Sequence, residues 1–101
     1  MPPGSATPCT IIPPETAAGV MTSLPAVINA AGWTVHGSSM VCATPNAEGA
    51  VECELAAGGT AVATQTNQTY GFRNDTAAPL SITVNSEGMS CGPLKTPPSP
   101  S

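Results

Sequence analysis

Four cysteines, Cys9, Cys42, Cys53 and Cys91, constrain this chain more than any other feature of its sequence. A chain of 101 residues makes one domain, and a domain of that size buries a modest share of its unfolded surface. The aromatic residues are Trp33, Tyr70 and Phe72 alone, and much of the 41% apolar content is alanine, which contributes little area when buried. So thin a core calls for an added constraint, and small domains in oxidising surroundings obtain one from disulfides. Four cysteines allow three pairings. The favoured one joins Cys42 to Cys53 across a hairpin and Cys9 to Cys91 across the two ends of the domain. Met40 and Cys42 alternate before the turn 44–49, and Val51, Cys53 and Leu55 alternate after it, so pairing these strands brings both sulfurs to the apolar face. In the loop-entropy picture the short link is worth about 3 kcal/mol and the long one about 4.5 kcal/mol.

The same alternation recurs along the middle of the chain, with turn signals between the segments. Leu80, Ile82 and Val84 share one face, with Ser81, Thr83 and Asn85 on the other. Tyr70 and Phe72 alternate with Thr69, Gly71 and Arg73, and the stretch 74–79 joins the two runs into an expected hairpin with a longer loop. Further strands are expected at Trp33 to His36, at 60–66 after a Gly58-Gly59 turn, and around Thr10, Ile11 and Ile12. Ser23, Pro25 and Gly32 supply start and stop signals that admit one short helix over 24–31. With or without it, the expected class is all-β: a two-sheet sandwich of about seven short strands with two disulfides. The expected organisation is a single domain over 9–92 between proline-rich arms at 1–8 and 93–101. Such arms read either as disordered or as lying along neighbouring subunits.

Charge narrows the function classes. Only Arg73 and Lys95 are cationic and the formal net charge is −4, so no basic stripe for nucleic acid can be assembled. The same shortage argues against docking on anionic lipid, and no apolar run approaches the roughly 20 residues of a spanning helix. The first residues lack the basic start and apolar stretch of a secretory leader. Three readings follow: a removed leader, an exit by another route such as a phage particle released by lysis, or a cytosolic protein with reduced cysteines. The cysteines favour an extracellular, cell-surface or virion-surface habitat.

The residue types of catalysis are few. His36 is the single histidine, and no nucleophile-elbow pattern surrounds Ser38 or Ser39. Blue copper needs two histidines with its cysteine, and zinc needs closely paired ligands that the chain lacks. Glu52 and Glu54 lie on one strand face at a separation that glycosidase carboxylates use, but few aromatics are available to stack a sugar. No enzyme activity, cofactor or metal is expected. Two glycosylation sequons, Asn67-Gln68-Thr69 and Asn74-Asp75-Thr76, matter only on a eukaryotic secretory route.

Tyr70, Phe72, Asn74, Thr76, Pro79, Leu80 and Ile82 together resemble the late hairpin of immunoglobulin-like accessory domains. These occur in bacterial surface proteins and in decoration or fibre proteins of tailed phages. The resemblance implies an immunoglobulin-like sandwich and a role in adhesion, spacing or shell stabilisation. The expected function is thus a structural or adhesive module that assembles with itself or on a larger shell, filament or surface protein. A phage decoration or fibre component and a bacterial filament subunit are its two forms. The alternative is a secreted monomer that recognises a carbohydrate or protein through its loops, with Pro45, Asn46 and Glu48 in one loop and Asn74, Asp75 and Thr76 in the other.

Overall fold

A computed structural model describes residues 8–93. Seven antiparallel strands and one short helix follow in the order β1 (Thr10–Ile11), α1 (Pro14–Met21), β2 (Ala26–Ala30), β3 (Trp33–Cys42), β4 (Val51–Gln65), β5 (Gln68–Arg73), β6 (Leu80–Asn85) and β7 (Gly88–Pro93). The arms expected at 1–8 and 93–101 fall outside the described residues, apart from Pro8 and from Pro93, which ends β7.

All seven strands belong to one hydrogen-bonded sheet. Its organising element is β4, which is 15 residues long and long enough to serve two partners in succession along one edge. Val51 to Leu55 pair with β6, whereas Thr60 to Gln65 pair with β5. Between these stretches Ala56, Ala57, Gly58 and Gly59 oppose the single residue Ser39 of β3, because the register jumps from Leu55↔Met40 to Thr60↔Ser38. So large a bulge bends both strands sharply. Gly58 and Ser39 supply the positive φ values of +79° and +57° that the bend requires. Gly59 is needed for space, since a Cβ there would lie 2.7 Å from the Ser38 carbonyl.

The bend divides the sheet into two wings around one core. The first wing holds β2, β5, β1 and the adjoining halves of β3 and β4. The second holds the other halves with β6 and β7. Trp33, Val35, Ala61, Ala63 and Phe72 from the first meet Val51, Cys53, Leu55, Ile82, Val84 and Met89 from the second in a single buried cluster. Trp33 and Tyr70 meet edge to face at 5.2 Å between ring centroids, a favoured aromatic geometry. Tyr70 in turn presses on Gly88, where a Cβ would lie 2.7 Å from its ring.

Alternation in the first half of β4 follows from burial on one side only: Val51, Cys53 and Leu55 are buried, and Glu52 and Glu54 are exposed. In the second half Ala61, Val62 and Ala63 are all buried, because α1 covers the outer face there. Ala17 and Ile12 pack over Val62, and Gly71 leaves the room, with a Cβ there only 3.0 Å from both the Ala17 and Ile12 β-carbons.

Both disulfides join the favoured partners. Cys42 and Cys53 face each other across β3 and β4, with Cα atoms 4.0 Å apart, as closely spaced antiparallel pairs are. Cys9 and Cys91 link the chain just before β1 to β7, close to the bend: Thr10 is opposite Arg73, which pairs with Thr60, and Cys91 is opposite Ile82, which pairs with Cys53.

Several expectations are corrected. The segment 24–31 forms strand β2, paired with β3 from Ala26↔His36 to Ala30↔Trp33, and is not a helix. The helix lies earlier, at Pro14, with Pro14 at its first position and Glu15 in its first turn. Strands β5 and β6 form no hairpin; each pairs with β4 on its own side of the bend. Gly58-Gly59 is the bulge inside one strand rather than a turn between two. In place of two separate sheets there is one bent sheet.

The two bridges contribute unequally. Their sequence separations of 82 and 11 residues predict that Cys9→Ala/Cys91→Ala lowers stability by about 4.5 kcal/mol and Cys42→Ala/Cys53→Ala by about 3 kcal/mol. Urea unfolding of the two double variants checks the order.

Candidate functional site

The two candidate loops do not converge. Strand β6 pairs with β4 from Leu55↔Leu80 at one end to Val51↔Val84 at the other. The loop 74–79 enters at Leu80 and the loop 43–50 at Val51, so they occupy opposite ends of the second wing.

The asparagine carboxamide of each loop is engaged within the protein. In the first loop the Asn46 carboxamide oxygen accepts from the Glu48 and Ala50 amides at 2.8 and 3.1 Å. The Asn46 amide donates to the Ala50 carbonyl at 2.8 Å, and the Gly49 amide to the Asn46 carbonyl at 2.9 Å. Asn46 thus closes its own turn, as Asn side chains commonly do. Pro45 is half-buried and Glu48 is exposed.

In the second loop Asn74 is completely buried, although a polar side chain with four bonding positions is costly to bury unless satisfied. Its nitrogen donates to the Leu55 carbonyl at 3.0 Å and to the Ala78 carbonyl at 2.8 Å. Its oxygen accepts from the Thr76 amide at 2.9 Å and the Thr76 hydroxyl at 2.6 Å. The backbone completes the knot, with Gly58 N–H donating to Asn74 O and Asn74 N–H to Gly59 O at 2.8 and 2.9 Å. Asn74 and Thr76 therefore fasten this loop onto the β4 bulge.

Asp75 is the charged member. Arg73 Nε and Nη2 donate to its two carboxylate oxygens at 2.8 and 3.1 Å, and the Thr10 hydroxyl donates to it as well. The Arg73 hydrogen bond and then that of Thr10 hold the Asp75 carboxyl down at about 2. The arginine is raised in its turn, first by the hydrogen bond it donates to Asp75 and then by the carboxylate's charge. The pair is half exposed, at 50% and 48%, so solvent screens it.

The residues considered for catalysis are dispersed. His36 lies within β3 opposite Val62, with Nδ1 3.1 Å from the Leu24 carbonyl oxygen. Ser38 pairs with Thr60, and Ser39 sits in the bend. Glu52 and Glu54 belong to the outer face of the second wing, beside Val41 and Ser81. Among the described residues no group of three His, Cys, Asp or Glu side chains is placed to hold a metal ion.

The sequence did not point to the outer face of the second wing or to the edge of β3 beside it as a candidate surface. α1 covers only the first wing. β2 pairs with β3 only as far as His36, so among the described residues no strand lies beyond Met40, Val41 and Cys42 on that edge. Val41 is 75% exposed there. An apolar residue on the outward phase of the strand, between Met40 and Cys42 and facing the same way as Glu54, was the available signal.

Comparisons with family models, with curated proteins and with solved structures find no match.

Two outcomes follow from the crease loop. Asn74→Ala would leave the Leu55 and Ala78 carbonyls without their donor and is expected to lower stability by about 3 kcal/mol by urea titration. The stabilisation that Asp75 contributes is present above its unfolded pKa of about 4 and is lost as pH falls through about 2. Unfolding titrations between pH 5 and pH 2 should therefore show a loss that Asp75→Asn reduces.

Proposed function

We propose that this chain is a structural or adhesive module that assembles with copies of itself or onto a larger shell, filament or surface protein. The observation that carries this reading is the edge of β3 at Met40 to Cys42, open among the described residues, where Val41 is 75% exposed beside a wing face that none of their helices covers. Natural sheets protect their edges with prolines, bulges, brevity or cover. Here β2 follows Pro25 and has a register shift between Ala26 and Ile28, β1 has two residues, and β7 ends in Pro93 and is tied to Cys9. An edge without a proline or a charge of its own suits addition of a strand from a partner.

The recognition-loop alternative has less support, since the Asn46 and Asn74 carboxamides are engaged within their own loops. The immunoglobulin-like sandwich belongs to the same proposal: its two layers would be the two wings, which share one core. The habitat proposed is an outside surface, where both disulfides persist.

Sedimentation velocity over a concentration series tests the assembly. Reversible oligomers are expected, with association weakened at least tenfold by Val41→Lys at unchanged thermal stability. A monomer at every concentration that binds glycans on an array would replace this reading with the loop-recognition one.

A further inference from the structure

The two sequons, Asn67-Gln68-Thr69 and Asn74-Asp75-Thr76, are equivalent as motifs and opposite in the fold. Asn74 is fully buried, and its nitrogen donates to two carbonyls, Leu55 O and Ala78 O. A glycan on that nitrogen would displace one of these bonds and force a bulky polar group into the crease, where Asn74 also accepts twice from Thr76.

Asn67 has the contrary setting. With Thr66 it makes the two-residue turn between β4 and β5, closed by the Gln65↔Gln68 pair and by a Gln65 Nε2–H to Gln68 Oε1 hydrogen bond of 3.2 Å. Thr66, Asn67 and their flanking glutamines are all exposed. The Asn67 carboxamide has no hydrogen-bond partner among the described residues. Thr69 stands two residues on, supplying the hydroxyl that the acceptor motif requires.

We propose that Asn67 is an N-glycan acceptor and that Asn74 is not. The donor is a lipid-pyrophosphate-linked oligosaccharide. The Asn67 nitrogen forms a bond to the anomeric carbon as the bond from that carbon to the pyrophosphate oxygen breaks. The lipid pyrophosphate departs with the electron pair, and one amide proton is released. The sugar projects from the tip of a hairpin in the first wing, away from the Met40 to Cys42 edge, so glycosylation and assembly are compatible. In the native host this inference rests on the outside-surface reading and on a eukaryotic secretory route.

The test expresses the full chain behind a heterologous leader in eukaryotic secretory cells, so that its outcome does not depend on the native habitat. Enzymatic deglycosylation in ¹⁸O-water followed by peptide mapping should find labelled aspartate at position 67 and unmodified Asn74 in the secreted protein. Asn67→Gln and, separately, Thr69→Ala should each remove the glycan while secretion and melting temperature are retained. Unmodified Asn67 in the folded secreted chain, or a glycan on Asn74 within it, would overturn the assignment.

Discussion

The bend in β4 depends on Asn74. Four residues of β4 loop out against one residue of β3, and the backbone groups freed by that mismatch need partners. Asn74 supplies them with both its side chain and its main chain, at Leu55, Gly58 and Gly59. Without this knot the crease would contain unsatisfied carbonyls, and the sheet would lose the geometry that folds its wings around Trp33, Val35, Leu55 and Ile82. The interior is alanine-rich, so enclosing it from both sides matters more than the size of any one side chain.

Closure away from the bend comes from packing, with Tyr70 on Gly88. Cys9–Cys91 ties the chain before β1 to β7 nearer the bend itself. Cys42–Cys53 has a more local task, because it closes the end of a ladder already paired at Met40↔Leu55 and Val41↔Glu54. A hydrogen-bonded crease with a sulfur bridge close to it, and aromatic packing at the other end, hold the wings together although the chain has three aromatic residues.

Period-two patterning made much of this fold legible. The partition of Val51, Cys53 and Leu55 from Glu52 and Glu54 is evident in the sequence, and it also placed the Cys42–Cys53 pair correctly. Seven strands are present, but they are differently composed. Trp33 to Cys42 is one strand and Val51 to Gln65 another, because a bulge interrupts alternation without ending a strand. Strand β7 escaped notice because Gly88, Ser90, Gly92 and Pro93 weaken its pattern. Cap-like residues around 24–31 suggested a helix, but β3 offered that segment a ladder, and tertiary pairing prevailed over local signals. Conversely, no helix was expected at Pro14, although a proline at the first turn followed by Glu15 is a helix start. The candidate loops were legible as loops. That their asparagine side chains bond within the protein was not, since an Asn that binds a ligand and an Asn that closes a turn look alike in sequence.

One asymmetry has a consequence for any array built from this domain. Among the described residues the one helix blankets one flank of the bent sheet, over Val62 and Gly71, and no helix lies over the opposite flank, with Glu52 and Glu54. Copies would then meet the world with unlike front and back. A layer of them that kept one orientation would be sided like a tiled floor: decorated above, bonded below, and unable to stack on itself by the same contacts.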